Sequence, residues 1–163
     1  MSDADSLNEL LAAHFRRFQA SHQRARGQAG PSLFGSDRAV DHWTFDYAKR
    51  AIDEAIADAV AYALANDVGD PSPALRHFVD DIQAALKADA DAPPANEFGL
   101  RPSPAALEDV RRHGAERLSM AQASLTSGRI DPRLKPPARR FGNDKLVLFA
   151  VVAVVILAVL ATI

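Results

Sequence analysis

The sequence predicts an all-α protein, a small bundle of three to four helices followed by one C-terminal transmembrane helix. Apolar residues recur at three- and four-residue steps in four segments, and proline and glycine separate these segments. No stretch of the chain alternates with the two-residue period of a strand. A final uncharged run is long enough to cross a membrane, which accounts for the second part of the prediction.

The first two helices are predicted over residues 6–26 and 37–66. Ser6 and Glu9 have the spacing of a capping box, which favours a helix start at Ser6. The apolar stripe of the first helix consists of Leu7, Leu10, Leu11, Phe15 and Phe18. The second helix is the longest, and its many alanines allow close helix approach, so we expect it to form the central rod of the bundle.

The third and fourth helices are predicted over residues 72–90 and 103–127. Each opens on a Ser-Pro pair, in which Ser72 or Ser103 acts as the N-cap and proline takes the first helical position. Gly114 interrupts the fourth helix. It either weakens that helix by about 1 kcal/mol relative to alanine or permits close packing.

The helical domain, residues 1–128, is predicted to have a thin, alanine-rich core. Leucine, isoleucine, valine and phenylalanine account for only 28 of the first 144 residues. Because so little large apolar surface is available for burial, we expect the domain to need a protein partner or self-association for stability.

The last eighteen residues, 146–163, are predicted to be a transmembrane anchor. They read LVLFAVVAVVILAVLATI and carry no charge. As a helix they span about 27 Å, close to the roughly 30 Å hydrocarbon core of a bilayer. A signal peptide or a lipid-anchor signal is disfavoured, because the first ten residues, MSDADSLNEL, contain acids and no apolar run.

A basic, proline-rich segment over residues 129–145 is predicted to be a semi-extended juxtamembrane spacer. Its basic residues, which flank the membrane span, are Arg129, Arg133, Lys135, Arg139, Arg140 and Lys145. Positive residues stay on the cytosolic side of a span, so we expect a tail-anchored, single-pass protein with its N-terminal domain in the cytoplasm. One explanation of the basic residues is that they only set this topology. Attraction to anionic lipid, about 1 kcal/mol per base, is the alternative.

The charge distribution and the motif inventory narrow the function. Residues 37–100 carry thirteen acids against five bases, whereas residues 101–145 carry ten bases against five acids. The acidic middle repels phosphate, so we expect the lipid bilayer and a protein as partners, and no nucleic acid. The chain has no cysteine, which excludes disulfides and thiolate chemistry. P-loop, nucleophile-elbow and zinc-protease motifs are missing from the sequence, so we predict no catalytic, cofactor-binding or metal-ligating residue.

An aromatic cluster at the start of the second helix is the candidate partner contact. Trp43 and Tyr47 share one face of the predicted helix, and Phe45 points elsewhere. Tryptophan and tyrosine are frequent anchors at protein interfaces. The alternative is that these side chains hold the helix to the loop before it.

These features together predict a tail-anchored, non-catalytic interaction module. It serves either as an adaptor or scaffold for cytosolic partners or as an accessory subunit of a membrane complex. The Ala- and Arg-rich composition is typical of a high-GC bacterium, so we expect the bacterial inner membrane. The alternatives are a membrane-active effector, such as a lysis or pore-associated protein, and an enzyme whose site is too dispersed to recognise.

Overall fold

The structure, a computed structural model, describes residues 3–28, 37–92 and 103–134. Within these residues the chain forms four α-helices, one short 3-10 turn and no strand, which confirms the all-α class. The helices are α1 (Asp3–Gln28), α2 (Asp37–Ala65), α3 (Ser72–Asp91) and α4 (Pro104–Ser127), and the 3-10 turn is Pro132–Leu134.

The predicted transmembrane helix, residues 146–163, and the last part of the predicted spacer lie outside the described residues. Among the helices that are described, none combines the length and the apolar character that a membrane crossing requires. The membrane anchor therefore stays a prediction from the sequence.

Local capping chemistry sets both ends of α4, whereas the predicted cap at Ser6 is wrong because Ser6 lies inside α1. α1 begins three residues before the predicted start, with Asp3 and Asp5 in its first turn, where carboxylates interact favourably with the helix dipole. At the start of α4 the Ser103 hydroxyl accepts a hydrogen bond from the Ala106 N–H at 3.3 Å, as predicted. α4 ends at Gly128, whose φ of 66° is the left-handed conformation that glycine adopts without strain.

The predicted N-cap at Ser72 is wrong. The N-cap of α3 is Pro71, and Ser72 is already the first helical residue. The Ser72 N–H donates to Asp70 Oδ1 at 3.0 Å, and the Ser72 hydroxyl donates to Gln122 Oε1 of α4 at 2.7 Å. Because the hydroxyl is used between helices, the same Ser-Pro pattern that caps α4 has a different role in α3.

The four helices occupy the corners of a bundle in the order α1, α2, α4, α3. Lys49 of α2 pairs with Asp109 of α4, and Asp53 pairs with His113, four residues further along both helices. α2 and α4 therefore run parallel. These two helices, together with α1 on the other side of α2, make the most extensive contacts in the bundle.

The other helix pairs have their directions set by equally specific contacts. Ser72, at the start of α3, lies beside Gln122 near the end of α4, so α3 runs antiparallel to α4. In α1, His14 lies beside Asp58 in the second half of α2, whereas His22 lies beside the α3 residue Asp89 at the other end of the bundle. α1 is consequently antiparallel to α2.

The hydrophobic core is centred on α2, as predicted for the central rod. The fully buried side chains on its inner faces are Ala48, Ile52, Ala55, Ile56, Ala59 and Val60. Around them pack buried residues of the other elements, namely Leu7, Leu11, Phe18, Leu75, Phe78, Val79, Ile82, Leu86, Val110, Ala121 and Leu134. The small alanines let the neighbouring helices lie close to the α2 backbone.

The chain turns back onto the bundle after α4, which corrects the predicted start of an extended spacer at residue 129. We call residues 129–134 the returning segment. The Leu134 side chain is 1% exposed, belongs to the core, and lies in the 3-10 turn that contacts α2 and α4. The folded domain therefore extends past the predicted boundary at residue 128. Burial of a leucine side chain stabilises a fold by about 1.5–3 kcal/mol, which favours this position of the segment.

Gly114 of α4 lies where α2, α3 and α4 meet. A Cβ atom at this position would lie 2.7 Å from Val79 Cγ1 and 3.8 Å from Ile52 Cδ1. Valine is β-branched and has little freedom at χ1, so it cannot swing aside. Of the two roles predicted for Gly114, the structure shows the second, close packing of α3 on α4.

We predict that Gly114→Ala destabilises the protein although alanine is the better helix former. The gain in helix propensity is about 1 kcal/mol, and forcing a methyl group against Val79 costs about 1–3 kcal/mol. Urea denaturation should show a net loss of up to about 2 kcal/mol. Gly69→Ala is the control: a Cβ there meets nothing within 4 Å, so it should be neutral or slightly stabilising. A stabilising effect of Gly114→Ala would contradict the packing role.

Candidate functional site

In the part of the chain that the structure describes, three histidines bind an aspartate on a neighbouring helix. The pairs are His14 with Asp58 at 3.0 Å, His113 with Asp53 at 2.7 Å, and His22 with Asp89. They join α1 to α2, α4 to α2, and α1 to α3. These pairs therefore lie where two helices are in contact, and we call such a helix–helix contact a seam.

The most connected of these sites is the Asp53 cluster, which consists of Asp53, His113 and Arg117. Asp53 Oδ1 lies 2.7 Å from His113 Nε2 and 2.7 Å from Arg117 Nε, and all three side chains are largely buried. The Arg117 Nε–H is not aligned with that oxygen, so this contact is an ion pair and not a hydrogen bond. Arg117 Nη1 donates to the Arg133 carbonyl at 2.6 Å. The cluster thus joins α2, α4 and the returning segment.

A second ionic group closes the same seam one turn nearer the start of both helices. Lys49 Nζ of α2 donates to Asp109 Oδ2 of α4, and Arg112 Nη2 donates to the other oxygen of Asp109 at 2.6 Å. The hydrogen bond from Lys49 holds the pKa of Asp109 below its usual value, and the bond from Arg112 adds to this. The carboxylate is therefore charged at neutral pH and holds the seam electrostatically.

The environment of His14 disfavours a charge on its imidazole. Its side chain is 3% exposed, and this burial, together with repulsion from Arg17, lowers the pKa of His14 below 6.5. Asp58 and Glu54 oppose the shift without reversing it. At neutral pH the imidazole is uncharged and binds Asp58 through Nε2.

Each of the three pairs joins two helices, which is a structural role. No group of three or more metal-ligating side chains is found in the part of the chain that the structure describes. A surface cavity of about 200 Å³ lies elsewhere, between α3 and α4, where Ser72, Arg76, Leu118 and Gln122 contribute to its lining. That volume is below the roughly 300–1,000 Å³ of typical ligand sites, and none of the three histidine–aspartate pairs lines it.

The predicted membrane-flanking basic residues are only partly described. Arg129 and Arg133 are exposed on the returning segment, and the Arg133 guanidinium pairs with Asp131 at 2.8 Å. The hydrogen bond from Arg133 holds the pKa of Asp131 below its usual value. The remaining predicted basic residues, Lys135, Arg139, Arg140 and Lys145, lie outside the described residues.

The predicted aromatic partner contact divides in two. Phe45 is 6% exposed and belongs to the core, so it anchors the start of α2. Tyr47 is 37% exposed and is accessible to a partner. The Trp43 side chain lies outside the described part of the structure.

The sequence contained a signal for two of the seam histidines that the apolar pattern alone missed. His14 and His22 continue the buried stripe of Leu7, Leu11 and Phe18 at three- and four-residue steps, and the His22 ring stacks on Phe18. A histidine on such a stripe is buried and needs a polar partner. Which aspartate provides it could not be read from the sequence, because the partners lie 44 and 67 residues away.

Comparison of the chain with protein-family models, with curated proteins and with solved structures finds no match. The class of protein is therefore defined by its own geometry. It is a helical bundle with a thin core, in which partly buried histidine–aspartate and arginine–aspartate pairs cross-link the helices.

We predict that His14 makes the protein less stable in acid. Because the folded pKa of His14 is lowered, the unfolded chain takes up the proton first, so stability is lost as the pH falls below about 6.5. Unfolding free energies of the full chain, measured by urea denaturation in mild detergent, should fall less steeply for His14→Gln than for wild type. His77→Gln, at a side chain that is 81% exposed, should keep the wild-type slope. Equal slopes for wild type and His14→Gln would count against this assignment.

A second prediction concerns Asp53. Asp53→Asn removes the counter-charge of Arg117 and the carboxylate that His113 binds, and we expect a loss of about 2 kcal/mol in the free energy of unfolding. The control is Asp91→Asn, because the pair that Asp91 forms with Lys87 is exposed and should contribute less than about 0.5 kcal/mol. If both variants lose the same stability, the seam has no special importance.

Proposed function

We propose that this chain is a single-pass membrane protein whose helical bundle is a non-catalytic interaction module, either an adaptor or an accessory subunit of a membrane complex. The observation that carries the proposal is the run of eighteen uncharged residues at 146–163. The basic residues between the bundle and this run favour a cytosolic location for the bundle. The bacterial inner membrane remains the proposed location.

The packing of the bundle supports lipid as the environment of the apolar run. The helices bury their apolar faces against one another around α2. Among the described residues, the large apolar side chains left exposed are Tyr47 and Ile130, which lie at opposite ends of the bundle. An apolar helix of eighteen residues needs a continuous apolar surface, and a bilayer supplies one along its whole length.

Aspartates that pair with histidines between helices of the bundle support the proposal of a non-catalytic interaction module. Asp53, Asp58 and Asp89 are each engaged by a histidine of another helix, so their charges hold helices together. For a partner or a second copy of the chain, the proposed contact is at the start of α2, where Tyr47 is accessible. Trp43 precedes Tyr47 by about one helical turn.

We predict that removing residues 146–163 releases the protein from membranes. Wild type should stay in the membrane pellet after carbonate extraction, and the truncated chain should move to the supernatant. Replacing the run by an unrelated apolar span of eighteen residues is the control and should restore membrane association. A truncated chain that stays in the pellet after extraction would overturn the anchor.

Two further measurements test the topology and separate the two proposed roles. Protease added to the outside of sealed inverted vesicles should digest the bundle if it is cytosolic. In mild detergent, an adaptor should elute at the size of the chain and its micelle, whereas an accessory subunit should co-elute with integral membrane proteins.

A further inference from the structure

The returning segment begins with a sharp reversal at the end of α4. The left-handed φ of Gly128 directs the chain back toward the helix that it has just left. The Arg129 N–H donates to the Ser124 carbonyl at 3.2 Å, which closes the last turn of α4. The chain therefore leaves α4 along its side and not from its end.

Three anchors then hold the returning segment against the bundle. The Asp131 N–H donates to Ser124 Oγ at 3.0 Å, and this buried hydroxyl itself donates to the Met120 carbonyl at 2.9 Å. Arg117 donates to the carbonyl of Arg133, and the side chain of Leu134 enters the core. Because the α4 anchors move from Ser124 back to Arg117, the segment runs antiparallel to α4 in the groove that α4 forms with α2.

The returning segment is also ordered by contacts within itself. Asp131 Oδ1 accepts the Arg133 N–H at 2.9 Å, and the Arg133 guanidinium binds the same carboxylate. The Leu134 N–H donates to the Asp131 carbonyl at 2.9 Å, which forms the 3-10 turn. Because these bonds already fix the backbone of the segment, placing the Leu134 side chain in the groove costs little further conformational entropy.

We infer that the returning segment is a docked strap that limits the reach of the membrane tether. While it is docked, eleven residues separate Leu134 from the apolar run, and they span at most about 40 Å. If it undocks, the eighteen residues after Ser127 are available, with a reach of up to about 65 Å. The strap thus sets how far from the bilayer the bundle meets a partner. The docking stands on the contacts above, and only its effect on reach rests on the proposed anchor.

Replacing Leu134 tests the docking, and Ile130 provides a control in the same segment. Both are aliphatic, but Leu134 is 1% exposed and Ile130 is 41% exposed. Leu134→Gln should raise hydrogen exchange of the Asp131 and Leu134 amides in the full chain by roughly tenfold or more, and Ile130→Gln should change it less than about twofold. Amides of the returning segment that exchange as fast in wild type as in Leu134→Gln would overturn the docking.

A second variant guards against loss of folding. Asp131→Ala removes the carboxylate that orders the 3-10 turn and leaves the core untouched. It should raise exchange in the returning segment in the same direction, while amides of α2 keep their wild-type protection. If Asp131→Ala leaves the segment as protected as wild type and Leu134→Gln exposes α2 as well, Leu134 is simply a core residue and the strap is refuted.

Reach is measured by energy transfer to lipid. Because the chain has no native cysteine, the substitution Ala123→Cys at an exposed position of α4 provides a single attachment point for a donor dye. The acceptor is placed on the lipid of phosphatidylcholine–phosphatidylglycerol vesicles. Transfer should fall for Leu134→Gln and stay at the wild-type level for Ile130→Gln.

The outcomes of this measurement separate the strap from the anchor. Equal transfer in both variants, with raised exchange in Leu134→Gln, would overturn the control of reach. Absence of transfer in every protein would instead refute the membrane anchor, and the exchange result would still decide the docking.

Discussion

The bundle depends on how closely the other elements approach α2. Its buried face alternates isoleucine and valine with alanines, among them Ala48, Ala55 and Ala59, and all of these side chains are fully buried. Small side chains permit short distances between helix axes, but each buries little apolar area. Each therefore contributes little free energy, since burial is worth about 0.8 kcal/mol per methylene-sized group. Close packing therefore has to be maintained along the whole helix, which is why a glycine, Gly114, lies where α3 meets α4 and α2.

A thin core of similar small side chains does not by itself determine which helices are neighbours. The buried polar pairs supply that information, because an aspartate such as Asp53 is satisfied only when α4 lies beside α2 in one register. Buried ion pairs contribute little net stability, since their attraction must first offset the loss of hydration. However, an arrangement that buries one charged partner without the other is strongly destabilising. We therefore interpret the seams as determinants of helix order and direction rather than as the main source of stability.

The Asp53 cluster also connects the bundle to the chain that leaves it. Arg117 binds Asp53 on one side and the Arg133 carbonyl on the other, so the register of α2 on α4 and the position of the returning segment are coupled. Leu134 completes the core in the same groove. The returning segment and the α2–α4 contact thus share one arginine and one part of the core.

The sequence by itself determined the features that are local. Four helices, the Ser103 cap and the Gly128 end follow from periodicity and from hydrogen bonds within a few residues, and the apolar run at 146–163 follows from composition. Only the tertiary structure decided that Ser72 bonds across to Gln122, that His113 meets Asp53, and that the chain returns to bury Leu134. The two hydrogen bonds alone join residues 50 and 60 positions apart, and several arrangements of four amphipathic helices would satisfy the same pattern. The choice among them is made by shape and charge at the helix seams, which exist only once the helices have packed.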